Sequence, residues 1–108
     1  MSYEIVTIPL FDKQAKRLAK KYPSLKNDLK VLVDILIKNP QTGISLGNNF
    51  YKIRMAIKSK GRGKSGGARV ITFVKIIDEK VFLTSIFDKS EKNSLTDKEL
   101  DRIFKELT

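Results

Sequence analysis

A chain of 108 residues with no cysteine, histidine or tryptophan, and with 22 Lys and Arg against 12 Asp and Glu for a formal charge of +10, is expected to form one domain over residues 1–108. Its 41% hydrophobic residues can fill a single core, and the missing residue types exclude a disulfide framework, thiolate zinc sites, thiol nucleophiles and a histidine acid or base. Any chemistry must therefore run on Lys, Arg, Asp, Glu, Tyr, Ser or Thr.

The first twelve residues carry Glu4, lack a basic leader and are interrupted by Pro9, and no window approaches 18 consecutive apolar residues. A soluble, cytoplasmic protein is expected. Residues 3–8, β-branched at Ile5, Val6, Thr7 and Ile8, predict a first strand that Pro9 closes. Phe11, Ala15, Leu18 and Tyr22 then recur at spacings of four, three and four, the stripe of an amphipathic helix that Pro23 interrupts. Ser24 can cap a second helix with an apolar face of Leu25, Leu29, Leu32 and Leu36, ending near Asn39 because Pro40 disfavours helix at the residue before it. Residues 41–49, with Gly43, Gly47, Asn48 and Asn49, read as a loop.

From residue 50 the period becomes two. Tyr51, Ile53, Met55 and Ile57 alternate with Phe50, Lys52, Arg54 and Ala56, a strand with one apolar and one largely cationic face. Residues 58–67 (KSKGRGKSGG) are too polar and glycine-rich to pack a core. Residues 69–77 and 80–87 are two β-rich runs joined at Asp78 and Glu79, a candidate hairpin. Thr96 to Glu99 forms a capping box ahead of a closing helix striped by Leu100, Ile103, Phe104 and Leu107. The order strand, helix, helix, three strands, helix is that of an α+β domain whose helices cover one sheet face and leave the other for the cations.

The charge is segregated. Residues 35–77 hold nine cations (Lys38, Lys52, Arg54, Lys58, Lys60, Arg62, Lys64, Arg69 and Lys75) and no carboxylate, whereas residues 78–108 hold six basic and eight acidic side chains. An uncompensated stretch of this kind repels itself and points to a polyanionic partner, most simply nucleic acid. Lys52 and Arg54 project from the same strand face, and the glycines of the following segment let its backbone approach a ligand.

Clustered cations stabilise the extra negative charge of a five-coordinate phosphorus transition state. They also lower one another's pKa: an isolated lysine titrates near ~10.4, and to take a proton from a ribose hydroxyl at neutral pH it would have to fall by about 2 pH units, roughly 2.7 kcal/mol. The string GKS at Gly63–Ser65 is not a P-loop, because Lys58 stands where the motif needs glycine. Asp78, Glu79, Asp88 and Glu91 have no recognisable metal-ligand spacing and read as solvated, so no metal or other cofactor is expected. Tyr22 reads as core and Tyr51 as part of the apolar face.

The strings YKIRMAIKSKGRGKSGGARVITFV and VFLTSIFDKSEKNSLTDKEL resemble the RelE/ParE superfamily of bacterial toxins from type II toxin-antitoxin pairs, in particular its HigB-like branch. The most specific parts are the KIR tripeptide, the basic segment ending in GGARVI, and the IFDKSE string. The resemblance implies a RelE-like fold, with an N-terminal strand and helical hairpin packed on one face of a small, mainly antiparallel sheet and a C-terminal helix. It also implies a metal-independent mRNA endonuclease acting in the ribosomal A site, in which the ribose 2′-oxygen attacks the adjacent phosphate to give a 2′,3′-cyclic phosphate and a 5′-hydroxyl.

By the same resemblance Lys52, Arg54, Arg69 and Lys89 are the candidate catalytic residues and Lys60, Arg62 and Lys64 belong to a basic RNA-binding loop; Lys58, in the same basic turn, and Phe87, able to stack on a base, complete the candidate RNA-binding set. The expected partners are the ribosome, mRNA and a HigA-like, DNA-binding antitoxin, with no membrane. The chain departs from the pattern in having Ser90 where some members carry arginine, Leu95 and Thr96 where some carry tyrosine, and Phe87 in place of a tyrosine, which leaves the general acid open. Two other functions fit the same residues: a ParE-like inhibitor of DNA gyrase, and a nucleic-acid-binding module without catalysis.

Overall fold

The computed structural model describes residues 2–108. It contains strands β1 (Glu4–Thr7), β2 (Ile44–Gly47), β3 (Phe50–Met55), β4 (Ala68–Lys75) and β5 (Lys80–Asp88), and helices α1 (Pro9–Lys21), α2 (Leu25–Lys38) and α3 (Asp97–Leu107). The five strands form one sheet in the order β1-β5-β4-β3-β2. Only the pairing of β1 with β5 is parallel; the other three are antiparallel. This is the α+β arrangement, with a mainly antiparallel sheet and a C-terminal helix, that the resemblance implies.

Helices α1 and α2 form where the apolar stripes place them. Pro9 begins α1, where a missing N–H costs nothing, and Phe11 and Leu18 are buried. Helix α2 buries Leu25, Leu32 and Leu36, each contributing about 1.5–3 kcal/mol. The pair covers the sheet face that carries Ile53, Met55, Ala68, Val70, Val81 and Ile86, all buried. Ser24 stands at the N-cap of α2 but makes no capping bond; its hydroxyl is used elsewhere, as described below. Beyond Thr7 and its partner Leu83, β5 has no strand neighbour on that edge among the described residues. There Gln14 of α1 substitutes for a strand, its Oε1 accepting the Ile86 N–H at 2.9 Å and the Ser85 hydroxyl at 3.0 Å.

Two expectations change. The segment 41–49 is not all loop: Ile44–Gly47 is a strand paired with β3, joined to it through Asn48 and Asn49 at φ 52° and 66°. Two adjacent left-handed residues are what a tight hairpin with right-twisted strands requires, and asparagine tolerates that conformation. Nor is the second sheet face wholly free. Phe50 pairs in register with Phe73, and Phe73 with Phe82. Phe104 of α3 meets this row with ring centroids 6.4 Å from Phe50 and 5.8 Å from Phe73.

Helix α3 therefore covers the part of that face that carries Phe50 and Phe73. Thr96 and Glu99 form the reciprocal capping box at its start, with bonds of 2.9 and 3.1 Å. The hairpin between β4 and β5 is present, turning through a short 3-10 segment, Ile76–Asp78, and Glu79 at φ 52°.

Candidate nucleic-acid interface

At the end of the sheet away from α3's aromatic row, antiparallel register places Arg54 of β3 opposite Arg69 of β4, and Arg69 opposite Phe87 of β5. Lys52 lies two residues before Arg54 and hence on the same face, opposite Ile71. Arg54 is exposed, whereas Arg69 is buried at 5%. The Arg69 guanidinium donates from Nη1 to the carbonyls of Lys64 and Ala68, each at 3.1 Å, and from Nη2 to the Ser65 carbonyl at 3.3 Å.

Neutral carbonyls orient this group without cancelling its charge, and among the described residues no carboxylate pairs with it. Burial, and then the neighbouring Arg54 charge, pull its pKa below the ordinary arginine value. Two arginines facing each other with no anion between them favour a bound anion.

The basic segment between β3 and β4 is held at several points. After β3 the chain makes a 3-10 turn, Lys58–Lys60, against the start of α2. The Lys58 N–H donates to Oδ2 of the buried Asp28 at 3.2 Å; the Ser24 hydroxyl donates to the same oxygen at 2.7 Å and accepts the Ser59 N–H at 2.8 Å. Lys60 Nζ reaches Asp88 Oδ1 at 2.6 Å, and the Tyr22 hydroxyl donates to Asp88 Oδ2, also at 2.6 Å.

The segment returns at Gly67, whose carbonyl accepts the Lys89 N–H at 3.0 Å. A Cβ on Gly67 would run into the Met55 carbonyl, so no larger residue fits this close approach. Arg62, Gly66, Lys89 and Ser90 line a cleft with Lys60, while Lys58 and Lys64 border a groove between α2 and β3 that also includes Arg54.

The family model of the RelE toxin of the RelE/RelB toxin-antitoxin system matches residues 10–108. The chain belongs to the RelE toxin family. Solved structures similar to this RelE-family chain include a double arginine-to-alanine mutant of the E. coli toxin RelE in the free state, at 15% identity with all of both chains covered and a TM-score of 0.66. The isolated E. coli RelE toxin is also similar, at 15% identity, 96% and 98% coverage and a TM-score of 0.63. The arginine mutant in complex with an antitoxin RelBc peptide gives 17% identity, 95% coverage of each chain and a TM-score of 0.59. No curated protein sequence matches the chain.

Against this RelE-like frame, the residues singled out in the sequence fall into three groups. Lys52, Arg54, Arg69 and Phe87 share one sheet face. Lys60, Arg62 and Lys89 gather at the neighbouring cleft, and Lys58 and Lys64 lie along the α2–β3 groove. Lys38 and Lys75 stand apart, at the ends of α2 and β4, and Lys75 pairs with Asp78 at 3.1 Å. Phe87 is buried at 6%, with Lys92 Nζ 5.9 Å from its ring centroid, so little of the ring is open to stack on a base.

Asp88 corrects the expectation of a solvated carboxylate. It is wholly buried. Burial pushes its carboxyl up, but hydrogen bonds from Lys60, Tyr22 and Ser90 outweigh that and hold it well below the usual carboxylate range. Tyr22 is correspondingly raised, first by its bond to Asp88 and then by burial. Sequence reasoning missed this group because Asp88 lies 28 residues from Lys60 and 66 from Tyr22, beyond any local spacing rule. Among the described residues no helix is long and apolar enough to cross a membrane.

Proposed function

We propose that this chain is a ribosome-dependent mRNA endonuclease of the HigB-like kind that blocks translation and needs no metal ion. The observation that carries the reading is the facing pair Arg54 and Arg69, with a buried guanidinium oriented by backbone carbonyls and left electrically uncompensated. Of the five N–H donors on Arg69, the three bonds to Lys64, Ala68 and Ser65 leave two for a phosphate oxygen.

In the proposed reaction the 2′-oxygen loses its proton to a basic group and forms a bond to phosphorus, while the bond from phosphorus to the 5′-oxygen breaks. That oxygen takes up a proton from a lysine or from the ribosome. Charge rises on the non-bridging oxygens in the transition state, where Arg54 and Arg69 stabilise it; fixed donors of this kind contribute about 10²–10³ in rate each. Lys52, on the same sheet face as Arg54, and Lys89, at the loop cleft, are the amines proposed to carry protons. Arg62, at the loop cleft, and Lys58 and Lys64, at the α2–β3 groove, extend the positive surface, while Lys60 is paired with Asp88 and Phe87 supports the surface from the sheet.

The partners proposed with this activity are translating ribosomes with their mRNA and a HigA-like, DNA-binding antitoxin with acidic and apolar segments, which would mask the surface in the cytoplasm. Primer extension on mRNA translated in a purified system tests the reading. Codon-linked cleavage by the wild type that is lost in Arg69→Ala is expected. Intact mRNA with inhibited gyrase would replace the reading by a ParE-like one, and intact mRNA with active gyrase by a non-catalytic binding module.

A further inference from the structure

The fold spends two buried carboxylates on a segment that composition alone marks as a free cationic loop. Asp28, on α2, accepts the Lys58 N–H; Asp88, at the end of β5, accepts the Lys60 ammonium. Register places Met55, Ala68 and Asp88 in one row, so Asp88 lies on the helix-covered face and Lys60 turns toward that face, opposite to the one that carries Arg54 and Arg69. There its nitrogen is also 5.8 Å from the centroid of the Tyr22 ring, whose hydroxyl bonds the same carboxylate. The Ser90 N–H and hydroxyl, each at 2.9 Å from Asp88 Oδ1, complete the group.

We propose that Asp88 is a positioning residue of this toxin and that Lys60 serves it as the loop's anchor rather than as a contact to RNA phosphate. The inference rests on the nuclease reading above and deepens it. Three features carry it: complete burial of Asp88, short charge-assisted bonds from two separate elements, and the direction in which Lys60 points. The consequence is mechanical. With Lys60 pinned at one limb of the segment and the Lys64 and Ser65 carbonyls pinned by Arg69 at the other, the loop cannot drift. Lys64, which borders the groove with Arg54, and Arg62, at the cleft with Lys89, are held in place before RNA arrives.

Counting charges alone gives the opposite expectation. Asp88→Asn removes an anion, raising the formal charge from +10 to +11, and frees Lys60, so RNA affinity should rise and cleavage should hold or improve. If Asp88 positions the loop, Asp88→Asn keeps or gains affinity for a 2′-O-methylated RNA yet cleaves mRNA on ribosomes about 10- to 100-fold more slowly, in kcat rather than KM. Lys60→Met shows a similar loss while leaving the salt slope of RNA binding at the wild-type value, and the double variant is no worse than either single one.

Wild-type cleavage by Asp88→Asn, or a slope shallower by about 0.7 in Lys60→Met as loss of a phosphate contact requires, would overturn the proposal. Tyr22→Phe keeps the test readable should Asp88→Asn fail to fold. Its amide exchange over residues 59–67 should quicken while that of β4 stays slow, and unchanged loop exchange would count against the anchor. Failure of the wild type to cut mRNA would instead sink the nuclease reading, and the exchange measurement would still decide whether the anchor exists.

Discussion

The cationic surface makes a quantitative demand on RNA binding. Lys52, Arg54 and Arg69 share one sheet face, Arg62 and Lys89 line the neighbouring cleft, Lys58 and Lys64 border the α2–β3 groove, and none of the seven is in an ion pair among the described residues. Each phosphate neutralised on single-stranded RNA contributes about −0.7 to the slope of log affinity against log salt. If about five of these cations meet phosphates, the slope is about −3.5, and raising salt from ~50 to ~200 mM weakens binding about 100-fold. Arg54→Gln should bring the slope to about −2.8 and cost about fivefold at ~0.1 M salt.

Lys75, bound to Asp78 at the far end of β4, is the internal control. Lys75→Gln should leave the slope unchanged. Fluorescence anisotropy of a labelled, 2′-O-methylated oligonucleotide measures all three proteins without cleavage. A wild-type slope shallower than about −1.5, or an equal change in Arg54→Gln and Lys75→Gln, would show that the charge acts through the whole molecule and not through this surface.

Three further outcomes follow from the fold. Phe104→Ala removes the ring by which α3 meets Phe50 and Phe73 and should cost about 2–3 kcal/mol in urea unfolding; a loss under about 1 kcal/mol would mean that α3 does not depend on this contact. Asp88 and Glu99 are both held below the ordinary carboxylate range in the folded chain, Glu99 chiefly by its bond from Lys92 and then by the Thr96 N–H. Depressed carboxyls stabilise above the unfolded pKa near ~4 and lose that contribution as pH falls toward the native value, so stability should be flat near neutrality and decline below about pH 4. The decline should be gentler in Asp88→Asn, and parallel acid profiles would refute the assignment. Gly67→Ala, which drives a methyl into the Met55 carbonyl, should lower stability by about 1–3 kcal/mol, measured by thermal melting, and unchanged stability would contradict the close approach.

Much of this architecture was legible in the chain because it rests on local patterns. Phe11, Leu18, Leu25, Leu32 and Leu36 recur at helical spacing and are buried, and the Thr96–Glu99 capping box forms as its spacing implies. Strand β2 was not legible: its four residues, Ile-Ser-Leu-Gly, are flanked by glycine and asparagine, and only pairing with β3 makes them a strand. The apolar Phe50 on an otherwise cationic face was the sign that something covers that half of the sheet. Period-two alternation also placed Lys52 and Arg54 together, but register alone sets Arg69 opposite Arg54. The burial of Asp88 was not legible, because it depends on Tyr22 and Lys60, which come from other parts of the chain.

In the proposed reaction this surface directs a ribose 2′-oxygen at its neighbouring phosphate. An mRNA carrying one 2′-deoxynucleotide on the 5′ side of the scissile bond, translated beside its all-ribose counterpart in the presence of the wild-type protein, tests it most directly. Cleavage of the ribose message with a 2′,3′-cyclic phosphate end, and none at the deoxy position, is the expected result. Cutting at the deoxy position at an undiminished rate would contradict it.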